Sequence, residues 1–326
     1  MGIGDAVRWG FLSTAKINDL VLAGARESDR VDVVAVASRD PERAEEYARE
    51  RGVERAHGSY EALLDDPDVE AVYISVPNSL HVEWSIRALE AGKHVLCEKP
   101  LSRRAGDVVR AFEAAERAGR ILMEAFMYRH NPQTARLNEL VEGGAIGRLR
   151  LVRAAFSFPL RNPADVRLNA KLDGGALMDV GCYCVSGSRL LAGEPVEVHG
   201  EQVEGASGVD ELFAATLRFA EGVLAELDCG LVLPVRDELE AIGEEGSIFL
   251  DDPWHCRRPV IELRTAEGVE QIQVERADSY RLELENVSDA IRGRAEPLLG
   301  REDARGQARA IEALYRSAAE RRPIVL

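Results

Sequence analysis

Within the first 128 residues, apolar runs without polar alternation recur between helix patterns, and no other feature restricts the fold as much. The runs are VRWGFLS, VDVVAVAS (31–38), AVYISV (71–76), HVLCE and RILMEAFM. A strand with one wet face alternates; a strand buried on both faces does not. Helix patterns separate the runs, at Thr14 to Ala25, at DPERAEEYARERG (40–52), at HVEWSIRALEAG (81–92) and at RAGDVVRAFEAAERAG, closed by Gly119. Strand–helix repetition with doubly buried strands is an α/β signature. It predicts an N-terminal domain with a doubly wound parallel sheet over residues 1–128. In such sheets ligands collect at the carboxyl ends of the strands.

The rhythm changes after about residue 145. GRLRLVRAAFSF, EVHGEQVEG, LFAATLRFAEGVLAELDCGL, DELEAIGEEGSIFLDD and PVIELRTAEGVEQIQVE read as strands joined by tight turns. Gly222, Gly246 and Gly268 each follow a Glu, the composition of hairpin loops that need positive φ. Residues 129–326 are therefore expected to form a C-terminal α+β domain with a mostly antiparallel sheet. SYRLELENVSDAIRG and REDARGQARAIEALYRSAAERR close the chain as amphipathic helices, with packing back onto the first domain one arrangement open to them.

A length of 326 residues suits two domains. The formal charge of −16 argues against a nucleic-acid or anionic-membrane surface. There is no signal-peptide pattern and no apolar run long enough to span a bilayer. Five cysteines (Cys97, Cys182, Cys184, Cys229, Cys256) without a C-x-x-C pair give neither a disulfide framework nor a zinc cage. A reducing, cytoplasmic setting follows, with no metal expected. Lysine is rare: only Lys16, Lys93, Lys99 and Lys171 occur.

If the first domain binds a dinucleotide, the stretch after the first strand carries the phosphate loop. It reads WGFLSTAKIND, and the three glycine positions of G-x-G-x-x-G hold Ser13, Ala15 and Asn18. Small side chains still let backbone N–H groups of Ser13, Thr14, Ala15, Lys16 and Ile17 approach a pyrophosphate at a helix start. A plain strand-to-helix turn is the competing reading. At the end of the second strand, where NAD sites commonly place an acid, stand Ser38 and Arg39, with Arg43 one helical turn on and Asp40 at the helix cap. A hydroxyl and guanidinium groups favour the 2′-phosphate of NADP over NAD; solvated surface arginines are the alternative.

Pro77 and Asn78 stop the third strand, and His81 opens the next helix. The fourth strand ends in Glu98, Lys99 and Pro100, the one place where a lysine stands at a strand end. A Glu98–Lys99 salt bridge is the bland reading, but strand neighbours point to opposite faces. In LDGGALMDVGCYCVSG (172–187), Asp179 and Tyr183 are four apart in a helix-like run. An ammonium such as that of Lys99 lowers a tyrosine pKa, so Lys99, Tyr183 and Asp179 make a candidate acid/base set for a carbinol-to-carbonyl conversion. A lone helical tyrosine is otherwise a core residue.

These residues carry a resemblance. AVYISVPNSLH followed by AGKHVLCEKP, with Glu70 where the pattern opens on Asp, and GGALMDVGCYCVSGSRLLAGEP resemble the two motifs of the Gfo/Idh/MocA oxidoreductases. Tyr183, WGFLSTAKIN and ASRDPERA are similar to the glucose–fructose oxidoreductase, dihydrodiol dehydrogenase and NADP D-xylose dehydrogenase branch. The resemblance implies that Lys99 and Tyr183 carry the chemistry with Asp179 in support, and that Glu98 and Pro100 shape the nicotinamide pocket. It further implies a Rossmann fold for the N-terminal domain and, in the C-terminal α+β domain, a large open sheet that packs subunits into homodimers or homotetramers. Arg167 resembles an arginine of sugar-acting members; contact with cofactor or substrate, or capping of the glycine turn, are its open roles. The expected activity is NADP-linked hydride transfer on a pyranose or related cyclic polyol. Aldose oxidation at C1 leads, with keto-sugar 3-reduction and dihydrodiol oxidation as rivals within the chemistry and a silent NADP-binding sensor outside it. With eight residues before Trp9, exchange of free NADP is expected rather than a cofactor cycling in place.

Overall fold

A computed structural model describes residues 5–326, so residues 1–4 of the expected first domain lie outside the described residues. The chain divides into two compact units. The first unit runs up to Ser102 and takes in Gly106–Met127 and Asp278–Arg305; the second holds Arg103–Ala105, Tyr128–Ala277 and Gly306–Leu326.

In chain order the first elements are β1 (Val7–Leu12), α1 (Asn18–Arg26), β2 (Val31–Ala37), α2 (Pro41–Arg51), β3 (Arg55–His57) and α3 (Tyr60–Leu64). They are followed by β4 (Ala71–Ile74), α4 (His81–Glu90), β5 (His94–Glu98), α5 (Ala105–Ala118) and β6 (Leu122–Ala125). Then come α6 (Pro132–Glu142), β7 (Leu149–Ser157), α7 (Cys182–Ala192), β8 (Pro195–Glu204), β9 (Asp210–Phe219) and β10 (Leu224–Gly230). The chain closes with β11 (Arg236–Gly243), β12 (Gly246–Leu250), β13 (Val260–Thr265), β14 (Gly268–Gln273), α8 (Ser279–Ile291), α9 (Arg301–Glu320) and β15 (Ile324–Val325).

The first unit is the doubly wound sheet expected from the apolar runs, with order β3-β2-β1-β4-β5-β6 and every pair parallel. Its strands are dry: Trp9, Phe11, Leu12, Val72, Tyr73, Ile74, Val95 and Leu96 are fully buried. Trp9 keeps its one polar atom satisfied, donating from Nε1 to Ser288 Oγ of α8 at 3.2 Å. Asp40 caps α2, accepting from the N–H groups of Glu42 and Arg43, with Pro41 in the first helical position and Gly52 left-handed at the far end. A cap of this kind contributes about 1 kcal/mol. The sequence reading is short by one strand here. β3 has only three residues, too few to show a period. The first helix starts at Asn18 rather than Thr14, because residues 13–17 form a loop.

The second unit is built on a mixed sheet of nine strands, order β14-β13-β12-β11-β7-β10-β9-β8-β15. All pairs are antiparallel except β7 with β10. α7 packs on β7, β10 and β11. Gly222 and Gly268 take positive φ, 80° and 137°, as their hairpins require. Gly246 does not. It is glycine because a Cβ there would run into the Arg264 carbonyl oxygen on the neighbouring strand. No helix among the described residues is long and apolar enough to cross a membrane.

Candidate active site

In the first unit, Leu12 and Ile74 end neighbouring strands side by side, so the loops leaving β1 and β4 start together. Ser13 has φ 131°, the conformation a glycine would ordinarily hold. A buried side-chain network pins it. Ser13 Oγ lies 3.0 Å from the Ser75 carbonyl oxygen and 2.8 Å from Ser75 Oγ, and Ser75 donates to Asn18 Oδ1 at 2.7 Å. Asn18 Nδ2 closes the loop by donating to the Ser13 carbonyl at 2.8 Å. The loop therefore keeps its shape through three polar side chains instead of three glycines.

Ser13 Oγ also accepts the Ala15 N–H at 3.2 Å, while among the described residues no backbone acceptor takes the N–H groups of Thr14, Lys16 or Ile17. Thr14, Ala15, Lys16 and Arg43 line one cavity of about 250 Å³ with Tyr47. Ser38 is buried and its hydroxyl accepts the Asp40 N–H at 3.2 Å. Arg39 and Arg43 are exposed, and both act on the Tyr60 phenol, which burial holds above its ordinary pKa and the two guanidinium charges draw back down. A dinucleotide fits this arrangement: unshared N–H groups at a helix start suit a pyrophosphate, and two cations beyond β2 suit a further phosphate.

The other expected residues of this unit lie past β4 and β5. Pro77 precedes a single 3₁₀ turn, Asn78–Leu80. His81 is buried, and its Nδ1 and Nε2 lie 2.9 and 2.8 Å from the carbonyl oxygens of Pro100 and Val76. Its ring thus ties the exit of β4 to the exit of β5. The Lys99–Pro100 peptide is cis. Glu98 accepts from the Tyr73 hydroxyl and, at 3.3 Å, from the Lys99 N–H. Behind it α8 places Glu283, fully buried and without a hydrogen-bond partner among the described residues; burial, then the nearby Glu98 and Asp278 charges, push its carboxyl well above the ordinary range. Sequence reading missed Tyr73 and Glu283 because nothing local marks a buried acid on an otherwise regular helix.

In the second unit the glycine-rich motif forms two unlike pieces, a π-helical turn over Leu177–Gly181 that runs into α7. The doublet before it admits close neighbours. A Cβ on Gly174 would overlap the Arg167 carbonyl oxygen, and one on Gly175, whose φ is 120°, would overlap Asp210 Oδ1. Arg167 caps this turn, its carbonyl accepting the Gly175 N–H at 2.8 Å. Its guanidinium donates to Asp179 Oδ2 at 2.7 Å and lies 3.3 Å from Asp165 Oδ1. The Asp179 charge, against the cost of burial, raises the Arg167 pKa further. Asp179 is consequently an oriented carboxylate.

Tyr183 is 7% exposed in an aromatic nest, its ring centroid 5.4 Å from Phe156, 5.8 Å from Tyr128 and 5.9 Å from Trp254. Phe156 also meets His255 edge-on at 5.5 Å. His255 Nδ1 is 2.5 Å from Asp237 Oδ2, and Asp252 accepts Arg257 at 2.7 Å, so this acidic cluster is a closed ion network. The sequence pointed to Tyr183 but not to its nest, which is gathered from residues 128 to 254.

Comparison with known proteins covers both units. Residues 7–126 match a family model described as an oxidoreductase family with an NAD-binding Rossmann fold, and residues 134–249 match the Gfo/Idh/MocA C-terminal domain. A D-xylose 1-dehydrogenase (NADP(+)) of Haloferax volcanii is 37% identical, over 95% of this chain and 97% of that one. Among solved structures, an aldose-aldose oxidoreductase of Caulobacter crescentus complexed with glycerol aligns with TM-score 0.92 and 27% identity, over 98% and 100% of the two chains. A 3-ketoreductase of Actinomadura kijaniata in complex with NADP and TDP-benzene aligns with TM-score 0.91 and 31% identity, over 96% and 98%.

Proposed function

The chain belongs to the Gfo/Idh/MocA oxidoreductases, and on that footing we propose that it is an NADP-dependent sugar oxidoreductase, moving a hydride between the nicotinamide and a C–OH or C=O of a pyranose or related cyclic polyol. The observation that carries the reading is the Leu177–Gly181 turn. It fixes Asp179 by an ion pair to Arg167 and is followed by Tyr183 among aromatic rings, in a chain whose first unit holds a dinucleotide loop.

Bound NADP would supply the hydride acceptor or donor. The chain supplies the rest. Ser13, Thr14, Ala15, Lys16 and Ile17 hold the pyrophosphate, and Ser38, Arg39 and Arg43 the 2′-phosphate. Pro77, Asn78, His81, Glu98 and Pro100 frame the nicotinamide end, with His81 acting by fixing the Pro100 carbonyl. Tyr183 takes the hydroxyl proton in oxidation and returns it in reduction. Lys99 supplies the positive charge that stabilises the phenolate and the alkoxide. Asp179, oriented by Arg167, supports the proton transfer; Arg167 thus acts on the site through Asp179.

Aldose oxidation at C1 is the preferred form, in line with the xylose dehydrogenase relative. Keto-sugar 3-reduction is the rival, favoured by the 3-ketoreductase likeness. A homodimer or homotetramer is proposed from the family membership, and the charge of −16 supports a chain without nucleic-acid or anionic-membrane partners. A cytoplasmic setting accords with five buried cysteines, none of them in a disulfide among the described residues.

The test is a titration with NADPH and NADH followed by a screen of aldoses, keto-sugars and cyclic diols for change at the reduced-nicotinamide absorbance. NADPH preference with turnover of a pyranose is the expected outcome. Tyr183→Phe should bind NADPH unchanged and lose about 10²-fold or more in turnover; near-native rates would remove Tyr183 from the role.

A further inference from the structure

Resting on the catalytic reading of Tyr183 and Asp179, we propose that Asp210 is a positioning residue that fixes the start of the turn carrying them, and that turnover requires it ionised. Asp210 opens β9, 33 residues from Leu177 in sequence, and is 3% exposed. Its Oδ2 accepts the Leu177 N–H at 2.7 Å, and its Oδ1 accepts the Tyr315 hydroxyl of α9 at 2.9 Å. Leu177 is the first residue of the π-helical turn, and Asp179 lies two residues on. The leading N–H groups of a helix lack partners inside it, and a carboxylate is the strongest side-chain acceptor for one. Gly175 is required for the same contact, since any side chain there would occupy the Asp210 oxygen.

The charged and titratable groups around Asp210 come from α9, β10, the π-helical turn and the segments holding Arg103 and Asp173. The Arg103 guanidinium, just before α5, stacks on the Tyr315 ring at 4.2 Å and is 3.4 Å from Asp173. The Cys229 thiol on β10 feels both Asp210 and Asp179, and burial keeps it neutral. Burial likewise holds the Tyr315 phenol well above its ordinary value, so it remains a donor. Burial pushes the Asp210 carboxyl up to about 6, held there against the Leu177 N–H, the Tyr315 hydroxyl and Arg103, which all draw it down. Protonation converts a charge-assisted acceptor into a weaker neutral one and loosens the start of the turn. Turnover should therefore fall as pH falls through this range.

The experiment is kcat against pH for the native enzyme, Tyr315→Phe and Asp210→Asn, with NADPH affinity measured in parallel and Tyr183→Phe as control. The native enzyme should show an acid limb near pH 6. Tyr315→Phe removes a group that lowers the Asp210 pKa, so its limb should move to higher pH. It keeps the ring that packs on Phe213 at 5.8 Å, so this variant decides the matter even if Asp210→Asn fails to fold. Asp210→Asn should lose the limb and about 10- to 100-fold in kcat, the cost of one buried donor left poorly paired, with NADPH affinity unchanged. A limb that stays at one pH in native and Tyr315→Phe enzymes overturns the proposal while leaving the catalytic reading intact. A Tyr183→Phe enzyme with native turnover removes that reading, and this proposal with it.

Discussion

At the end of β2 a hydroxyl and two guanidinium groups stand where a carboxylate would repel a 2′-phosphate. A charge-assisted hydrogen bond from either guanidinium to such a phosphate would contribute about 1.5–3 kcal/mol. Replacing Arg39 and Arg43 together by Ala should weaken NADPH binding by about 10²-fold or more and leave NADH binding nearly unchanged. Paired fluorescence titrations check this; equal losses for both cofactors would count against 2′-phosphate recognition. These two arginines were legible in the sequence because their place follows from counting along one strand and one helical turn. The His81 ring was not. Its position in a helix start is local, but its two carbonyl partners, Val76 and Pro100, are brought to it by two different strands. Arg167 shows the same limit: the sequence left it between cofactor, substrate and cap, and its guanidinium lies on Asp179 while its carbonyl caps the glycine turn.

Two elements depart from their simplest reading. In the β1–α1 loop, positive φ at Ser13 is held by Asn18 and Ser75 instead of being tolerated by glycine. Asn18→Ala would leave the Ser13 carbonyl and the Ser75 hydroxyl without these partners, at about 1–3 kcal/mol for a buried group. A lower Tm should accompany a similar loss of affinity for NADPH and NADH if, as proposed, the loop holds the pyrophosphate common to both. Loss confined to NADPH would place Asn18 with the 2′-phosphate instead. The π-helical turn before α7 is the second departure. The sequence reads it as ordinary helix, with Asp179 and Tyr183 related by one α-helical turn, because a π turn leaves no compositional trace.

For the molecule as a whole, half-buried His94 and buried Asp210 give stability opposite slopes with pH. His94 accepts the Ile121 N–H through Nδ1 at 3.0 Å, and burial lowers its pKa from 6.5 to about 4. Between those values the unfolded chain binds the proton and the folded chain does not, so stability falls as pH drops through that window. Asp210 is raised from 3.8 to about 6, so there the folded chain binds the proton and stability falls as pH rises through that window. Urea midpoints measured against pH should therefore show a shallower acid loss in His94→Gln and a steeper one in Asp210→Asn than in the native protein. Parallel profiles for all three would contradict both assignments. The sequence by itself determined the strand–helix alternation of the first unit apart from its shortest elements, the parallel sheet, the mostly antiparallel second sheet and the two motifs, since each is written in local periodicity or in short contiguous patterns. The tertiary structure alone decided how the β1–α1 loop holds without glycines, the parallel pairing of β7 with β10, the nest around Tyr183 and the anchor at Asp210. Those features join residues such as Ser13 with Ser75, 62 apart, and Asp210 with Tyr315, 105 apart, and no local pattern encodes which distant segments a folded chain brings together.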